Sequence, residues 1–256
     1  MPFREATHRT VDGAQIAYRV RPGRDPWVLV HALACDSTLW DELVRALPEE
    51  MGLVIPELRG HGGSTLGFEM PSIDRFAADV LEVLEVEQIA APGIAGVSLG
   101  GVVALAMAAA SPDVARAWVL VSCHARAEDA AGRAARAEAI GIVDRQGWQA
   151  WLEPLAPRWV ASRQHDAQLE GMAGRAGDAG LTVALLALAN RPDRRAILPV
   201  LSSPVVAVAG EMDPITPRIH LAEIADAVPR GSLRVVPGAS HLVPLDAPQA
   251  LAELLL

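Results

Sequence analysis

The sequence predicts an α/β fold: a mainly parallel twisted sheet with helices on both faces and a helical cap insertion. Three observations carry that expectation. Short β-branched apolar runs alternate with helical stretches, the pattern of strands joined by crossover helices. Several of those runs are apolar almost without a break, as strands covered on both faces require. The alternation then lapses over residues 124–199, where Ala and Arg dominate and strand-like runs are lacking.

Taken in order, strands over 4–10 and 14–20 flank Asp12-Gly13, a hairpin signal, so the sheet opens on an antiparallel edge. Apolar runs then predict strands at 27–30, 53–55, 94–97, 117–121, 205–209 and 233–236. Helical spacing falls at 37–47, 73–84, 99–110, 218–227 and 248–254; Pro248 suits the first position of the last. The stretch 124–199 holds Trp148, Trp151 and Trp159. It reads as a cap laid over the strand ends. An ordinary helix pair with long loops and a disordered segment are the competing readings, and the tryptophans count against disorder. The division is therefore 1–123 with 200–256 as core, and 124–199 as cap.

At 256 residues and 51 % hydrophobic, the chain has ample material for a core of this kind. It contains no lysine and carries a formal charge of -9; without a clustered basic face, nucleic-acid binding is not expected. Cys35 and Cys123 are too few and too far apart for a disulfide framework or a zinc site. The opening residues lack the apolar segment of a signal peptide, and no run of about 18 apolar residues is free of charge. The expectation is a soluble cytoplasmic protein without membrane attachment. Nothing in the sequence sets an oligomeric state.

The chemistry centres on Gly96-Val97-Ser98-Leu99-Gly100-Gly101, which follows an apolar run and precedes a helix-forming stretch. Glycines on both sides of the serine permit a tight strand-to-helix turn. The hydroxyl then projects at the helix N-terminus, with the Leu99 amide directed at developing negative charge. Two partners follow in the order serine, acid, histidine. Asp213 lies just past the run 205–209, and His241 just past 233–236. Each alone has a plainer reading: Asp213 as a helix cap, Glu211 as the acid in its place, His241 as a surface histidine. The joint order favours Ser98, Asp213 and His241 as one set on one rim.

These residues resemble the α/β-hydrolase superfamily over nearly the full chain. The resemblance extends to His31-Ala32-Leu33-Ala34, Arg59-Gly60-His61-Gly62-Gly63-Ser64, Thr216-Pro217 and Ser240-His241-Leu242. Asn190-Arg191-Pro192-Asp193 is similar to small bacterial esterases and 3-oxoadipate enol-lactonase-like members. Two positions depart from the family pattern: Ala32 for the usual glycine, and Glu57 where many members have aspartate. The resemblance implies an oxyanion hole from the Leu33 and Leu99 amides. It also implies loop-bracing roles for His31, Arg59 and His61.

The implied reaction is hydrolysis of a carboxylic ester or lactone through an acyl-enzyme, without metal or organic cofactor. A serine at the elbow argues against epoxide opening and halide displacement, for which family members use aspartate. Carbon–carbon hydrolysis and perhydrolysis use the same triad, and a slow ligand-binding or signalling homologue is the non-catalytic alternative. His124, Trp148, Trp151 and Trp159 are candidates for substrate contact, with Met172 as a further wall residue. Arginines 126, 133, 136 and 145 either attract a substrate carboxylate or form a solvated face.

Overall fold

The computed structural model describes residues 2–256. The apolar runs assemble into one eight-stranded sheet of order β1-β2-β4-β3-β5-β6-β7-β8. β1 (Arg4–Arg9) and β2 (Gln15–Arg21) form the antiparallel edge. They turn at Asp12-Gly13, where Gly13 takes φ +87°, a value that a side chain would penalise. β2 runs antiparallel to β4 (Met51–Pro56). From there β3 (Arg24–Val30), β5 (Gly93–Val97), β6 (Ala117–Val121), β7 (Val205–Gly210) and β8 (Gly231–Val236) continue in parallel. All the parallel strands therefore deliver their C-terminal ends to one rim.

Several strands outrun their apolar centres. β3 begins at Arg24, which pairs with Met51, and β4 reaches Pro56, which pairs with Tyr18. Backbone pairing continues past the point where hydrophobicity stops signalling it.

Helices cover both faces. The expected helix at 37–47 is divided into a 3-10 turn, Ser37–Trp40, and α1 (Asp41–Ala46). The division follows from Asp36, whose carboxylate accepts from the Thr38 amide at 2.9 Å and tightens the first turn. α2 (Ile73–Val86) starts at Ser72, whose hydroxyl accepts from the Arg75 amide. Its Ile73, Phe76, Val80 and Val83 lie on one buried face. α3 (Leu99–Ala110) is buried nearly all round, as its unbroken apolar sequence requires.

Between β6 and β7 the chain forms α4 (Ala130–Leu152), α5 (Ala156–Trp159) and α6 (Asp166–Ala189). α4 and α6 pack on each other, and each is broken at one glycine, Gly147 at φ +82° and Gly177 at φ +60°. The segment Arg163–Ala189 is long and apolar enough to cross a membrane by length and composition, yet half of that apolar window is buried inside the protein. α7 (Arg218–Ala227) follows β7. α8 (Val243–Asp246), which no pattern in the sequence predicts, precedes α9 (Pro248–Ala252), which stops two residues short of the expected 254.

Candidate active site

The turn from β5 to α3 is as tight as its glycines allow. A Cβ at Gly96 would lie 2.3 Å from the Gly100 carbonyl oxygen, and one at Gly100 would lie 2.1 Å from that of Val30. Neither approach is open to any other residue. Ser98 itself is held at φ +54°, ψ -112°, a strained conformation for a residue with a Cβ. Its amide donates to Val121 O at 2.9 Å, and its carbonyl accepts from Val102 at the start of α3. Leu99 is the first residue of α3, so its N–H has no acceptor within the helix.

Asp213 follows β7 and His241 follows β8, and both turn toward Ser98. His241 Nδ1 lies 2.9 Å from Asp213 Oδ2, and His241 Nε2 lies 2.9 Å from Ser98 Oγ. Because Nδ1–H donates to the carboxylate, Nε2 is left as the acceptor for the hydroxyl. The Asp213 carboxylate is fully buried, and Oδ1 accepts the amides of Ile215 at 2.8 Å and Thr216 at 3.0 Å. Burial pushes its pKa up, but the bonds from His241 and these two amides outweigh that and leave it below the usual aspartate value. It stays an anion. Glu211 serves the loop instead, since its Oε2 accepts the Gly238 amide at 3.0 Å and so braces the segment that carries His241. That loop is also clipped to its surroundings by Ser240 N–H to Asp246 and Leu242 N–H to Trp159 O, each at 2.8 Å.

The loop after β3 brings Leu33 to the same place. Beneath it, His31 donates from Nδ1 to Ala32 O and accepts the Leu58 amide at Nε2, both at 2.8 Å. His61 Nε2 accepts from the Ala34 amide at 3.4 Å, and the two rings stand 5.2 Å apart. Burial lowers the pKa of His31 to about 4 and that of His61 to about 3, so both are neutral braces. Arg59 is enclosed with Asp12 at 2.5 Å and Asp79 at 2.8 Å. Glu57 accepts from Ser37 Oγ at 2.7 Å and the Gly63 amide at 2.5 Å, a packing role for this departure from the family pattern.

A cavity of about 500 Å³ opens above Ser98 and His241. Leu33, Leu99 and Val102 line it from below, and Ile142, Trp151 and Leu188 from the helices between β6 and β7. Among its lining residues, Arg191 Nη1 meets Glu128 Oε2 at 3.0 Å. Arg191 Nη2 lies 2.6 Å from His124 Nε2, and its Nε donates to Arg126 O at 3.0 Å. His124 is therefore an acceptor at Nε2; burial first, and then Arg191, lower its pKa to about 3.

The sequence profile of the alpha/beta hydrolase family matches residues 27–254. The chain belongs to the alpha/beta hydrolase family. Among curated relatives, it is 24 % identical over 233 residues to 3-oxoadipate enol-lactonase 2 of Acinetobacter baylyi, covering 89 % of this chain and 85 % of that one. It is 30 % identical over 238 residues to a pimeloyl-[acyl-carrier protein] methyl ester esterase of Neisseria meningitidis, covering 88 % and 90 %. Among solved structures, a thermophilic esterase from Thermogutta terrifontis, with malate bound, superposes with a TM-score of 0.89 at 26 % identity, over 98 % of this chain and 96 % of that one.

In this alpha/beta hydrolase, Ser98, Asp213, His241, Leu33 and Leu99 converge, and His124, Trp151 and Trp159 line the cavity beside them. Trp151 and Trp159 meet edge to face, with centroids 5.7 Å apart. Trp148 is not brought there. It directly follows the break at Gly147, its amide is capped by Asp178 at 2.8 Å, and its ring lies against Gly174 of α6. It faces a separate cavity with Leu152 and Glu170. Met172 is buried between helices, away from the cavity wall. Of the four arginines at 126, 133, 136 and 145, Arg136 alone lines the cavity; Arg126 is paired with Glu223. Cys123 lines it too, but burial pushes its thiol up to about 12, far from a thiolate nucleophile. Sequence patterns give no sign of Glu128 and assign Arg191 no role in the site. The one signal they offer is the presence of Arg191 within Asn190-Arg191-Pro192-Asp193, which serves only as a mark of resemblance.

Proposed function

We propose that this alpha/beta hydrolase cleaves carboxylic esters or lactones, with Ser98 as nucleophile, His241 as general base and Asp213 as the residue that orients it. The observation that carries this reading is the unbroken hydrogen-bond chain from the Ser98 hydroxyl through His241 to the buried Asp213 carboxylate. The esterase and lactonase relatives support the same chemistry.

In the first half-reaction His241 Nε2 takes the hydroxyl proton as Ser98 Oγ attacks the acyl carbon. The carbonyl oxygen becomes an oxyanion held by the Leu33 and Leu99 amides. Each such donor contributes about 2.7–4 kcal/mol in comparable enzymes. Asp213 fixes the imidazole tautomer and stabilises the imidazolium. That proton passes to the departing alkoxide, giving the alcohol and an acyl-Ser98. Water, deprotonated by the same imidazole, then attacks the acyl carbon, and the acid leaves as Ser98 regains its proton.

Hydrolysis of p-nitrophenyl esters by the protein and its Ser98→Ala variant tests the proposal. The variant is expected to fold normally and to lose turnover by about 10⁶-fold. Undiminished hydrolysis by a folded Ser98→Ala protein would contradict it.

A further inference from the structure

Three arginines line the cavity: Arg136, Arg158 and Arg191. Taken by themselves they suggest a seat for a substrate carboxylate. The contacts of Arg191 argue otherwise. Its side chain is only 3 % exposed; Nε and Nη2 are hydrogen-bonded to Arg126 O and His124, and Nη1 is ion-paired with Glu128, whose Oε2 has no hydrogen-bond partner. Arg136 Nε faces the same Glu128 oxygen at 3.6 Å. One carboxylate oxygen thus faces two guanidiniums of the cavity lining, the buried Arg191 and the more distant Arg136.

That carboxylate lies beside the first turn of α4. Glu128 directly precedes Asp129, the N-cap of α4, where the helix dipole favours negative charge. A Cβ at position 132 would stand 2.2 Å from Glu128 Oε1, so a side chain there would make this carboxylate shift from its present place. Of the remaining charge facing the cavity, that of Arg136 is partly exposed to water, unlike that of Arg191. Arg158 and Glu138 are exposed at its rim, opposite in sign and screened by water. His124 accepts from Arg191, and His241 is committed to Ser98 and Asp213.

We infer that Glu128 occupies, from within the chain, the position that an acidic substrate's carboxylate would take, and that the cavity therefore selects esters with uncharged acyl groups. The inference rests on the esterase reading above and names its substrate class. An anionic substrate would have to displace Glu128 from Arg191, leaving a buried carboxylate without its partner, or accept a like charge beside it. An uncharged chain meets Val102, Ile142 and Leu188 instead.

The test compares kcat/KM for two esters of similar acyl length, p-nitrophenyl pentanoate and p-nitrophenyl hemisuccinate. The wild type is expected to favour the pentanoate by about 10-fold or more. Glu128→Gln removes the internal anion and keeps the shape. It is expected to raise the ratio of hemisuccinate to pentanoate kcat/KM by about 10- to 100-fold. Gly132→Ser, which pushes the carboxylate from its seat, is expected to shift the ratio in the same direction. A residue that merely supported the fold would lower both activities together and leave their ratio fixed. Preference of the wild type for the hemisuccinate would overturn the inference, even if neither variant folds. So would an unchanged ratio in folded Glu128→Gln. In either case a Ser98-dependent esterase would still stand; loss of the esterase reading itself would show as hydrolysis that survives Ser98→Ala.

Discussion

Two loop regions at the C-terminal rim of the sheet each hold a histidine by both ring nitrogens, and they use it differently. In the loop after β3, His31 is tied to Ala32 O and the Leu58 amide; both partners are backbone groups that neither gain nor lose a proton near neutral pH. In the loop after β8, His241 lies between a buried carboxylate and a hydroxyl. In the proposed reaction a proton moves from Ser98 to this ring, because Asp213 stabilises the charge that results. The comparison teaches that partner identity, rather than burial or hydrogen-bond count, separates a base from a brace.

Exchanging each imidazole for a side chain that can hydrogen-bond but not carry a proton sharpens that contrast most. His241→Gln is expected to lower kcat/KM for p-nitrophenyl esters by about 10⁵- to 10⁶-fold, with the thermal midpoint nearly unchanged. Steady-state kinetics beside a melting curve checks both halves. Asp213→Asn keeps the shape but offers the imidazole the wrong tautomer, and a loss of about 10⁴-fold in kcat is expected. A loss of only a few-fold would move the acid elsewhere.

The region around His31 responds in stability. Arg59→Met removes the buried guanidinium that Asp12 and Asp79 share and leaves Asp12 without a cation, while Asp79 keeps Arg75 at 2.9 Å, at a cost of about 3–5 kcal/mol. Urea unfolding measures this, and the protein that remains folded should keep its kcat. His31→Gln is expected to cost about 1–3 kcal/mol, again without a change in kcat. The same histidines predict acid lability. Their folded pKa values, about 4 for His31 and about 3 for His61, lie below the ordinary 6.5. Above pH 6.5 both states are neutral and the stabilisation is complete. As pH falls toward 4 and then 3, the unfolded chain takes up protons that the folded one refuses, and stability drops. Urea midpoints at pH 7.5 and pH 5 should show this fall, and His31→Gln should reduce it.

The same contrast explains what is legible in the sequence. α3 is legible from Leu99 to Ala110, because the glycines and serine that punctuate its start are also what the turn requires. The meeting of Ser98, Asp213 and His241 on one rim is legible because each stands just past an apolar strand. The helix at 37–47 misleads: the apolar spacing continues through it, while the break comes from the Asp36 side chain. α8 escapes notice because four residues containing Pro244 carry no periodicity. Trp148 cannot be told from Trp151 by spacing, since the break at Gly147 and the packing against Gly174 decide which way it faces. Glu128 and Arg191 are far apart in the chain, and only folding brings them together.

The most direct test of the account is to treat the protein with diisopropyl fluorophosphate and map the adduct by mass spectrometry. The expected result is one adduct, on Ser98, formed in step with the loss of esterase activity and not formed in His241→Gln. Labelling of another residue with Ser98 unmodified, or full activity after Ser98 is labelled, would contradict it.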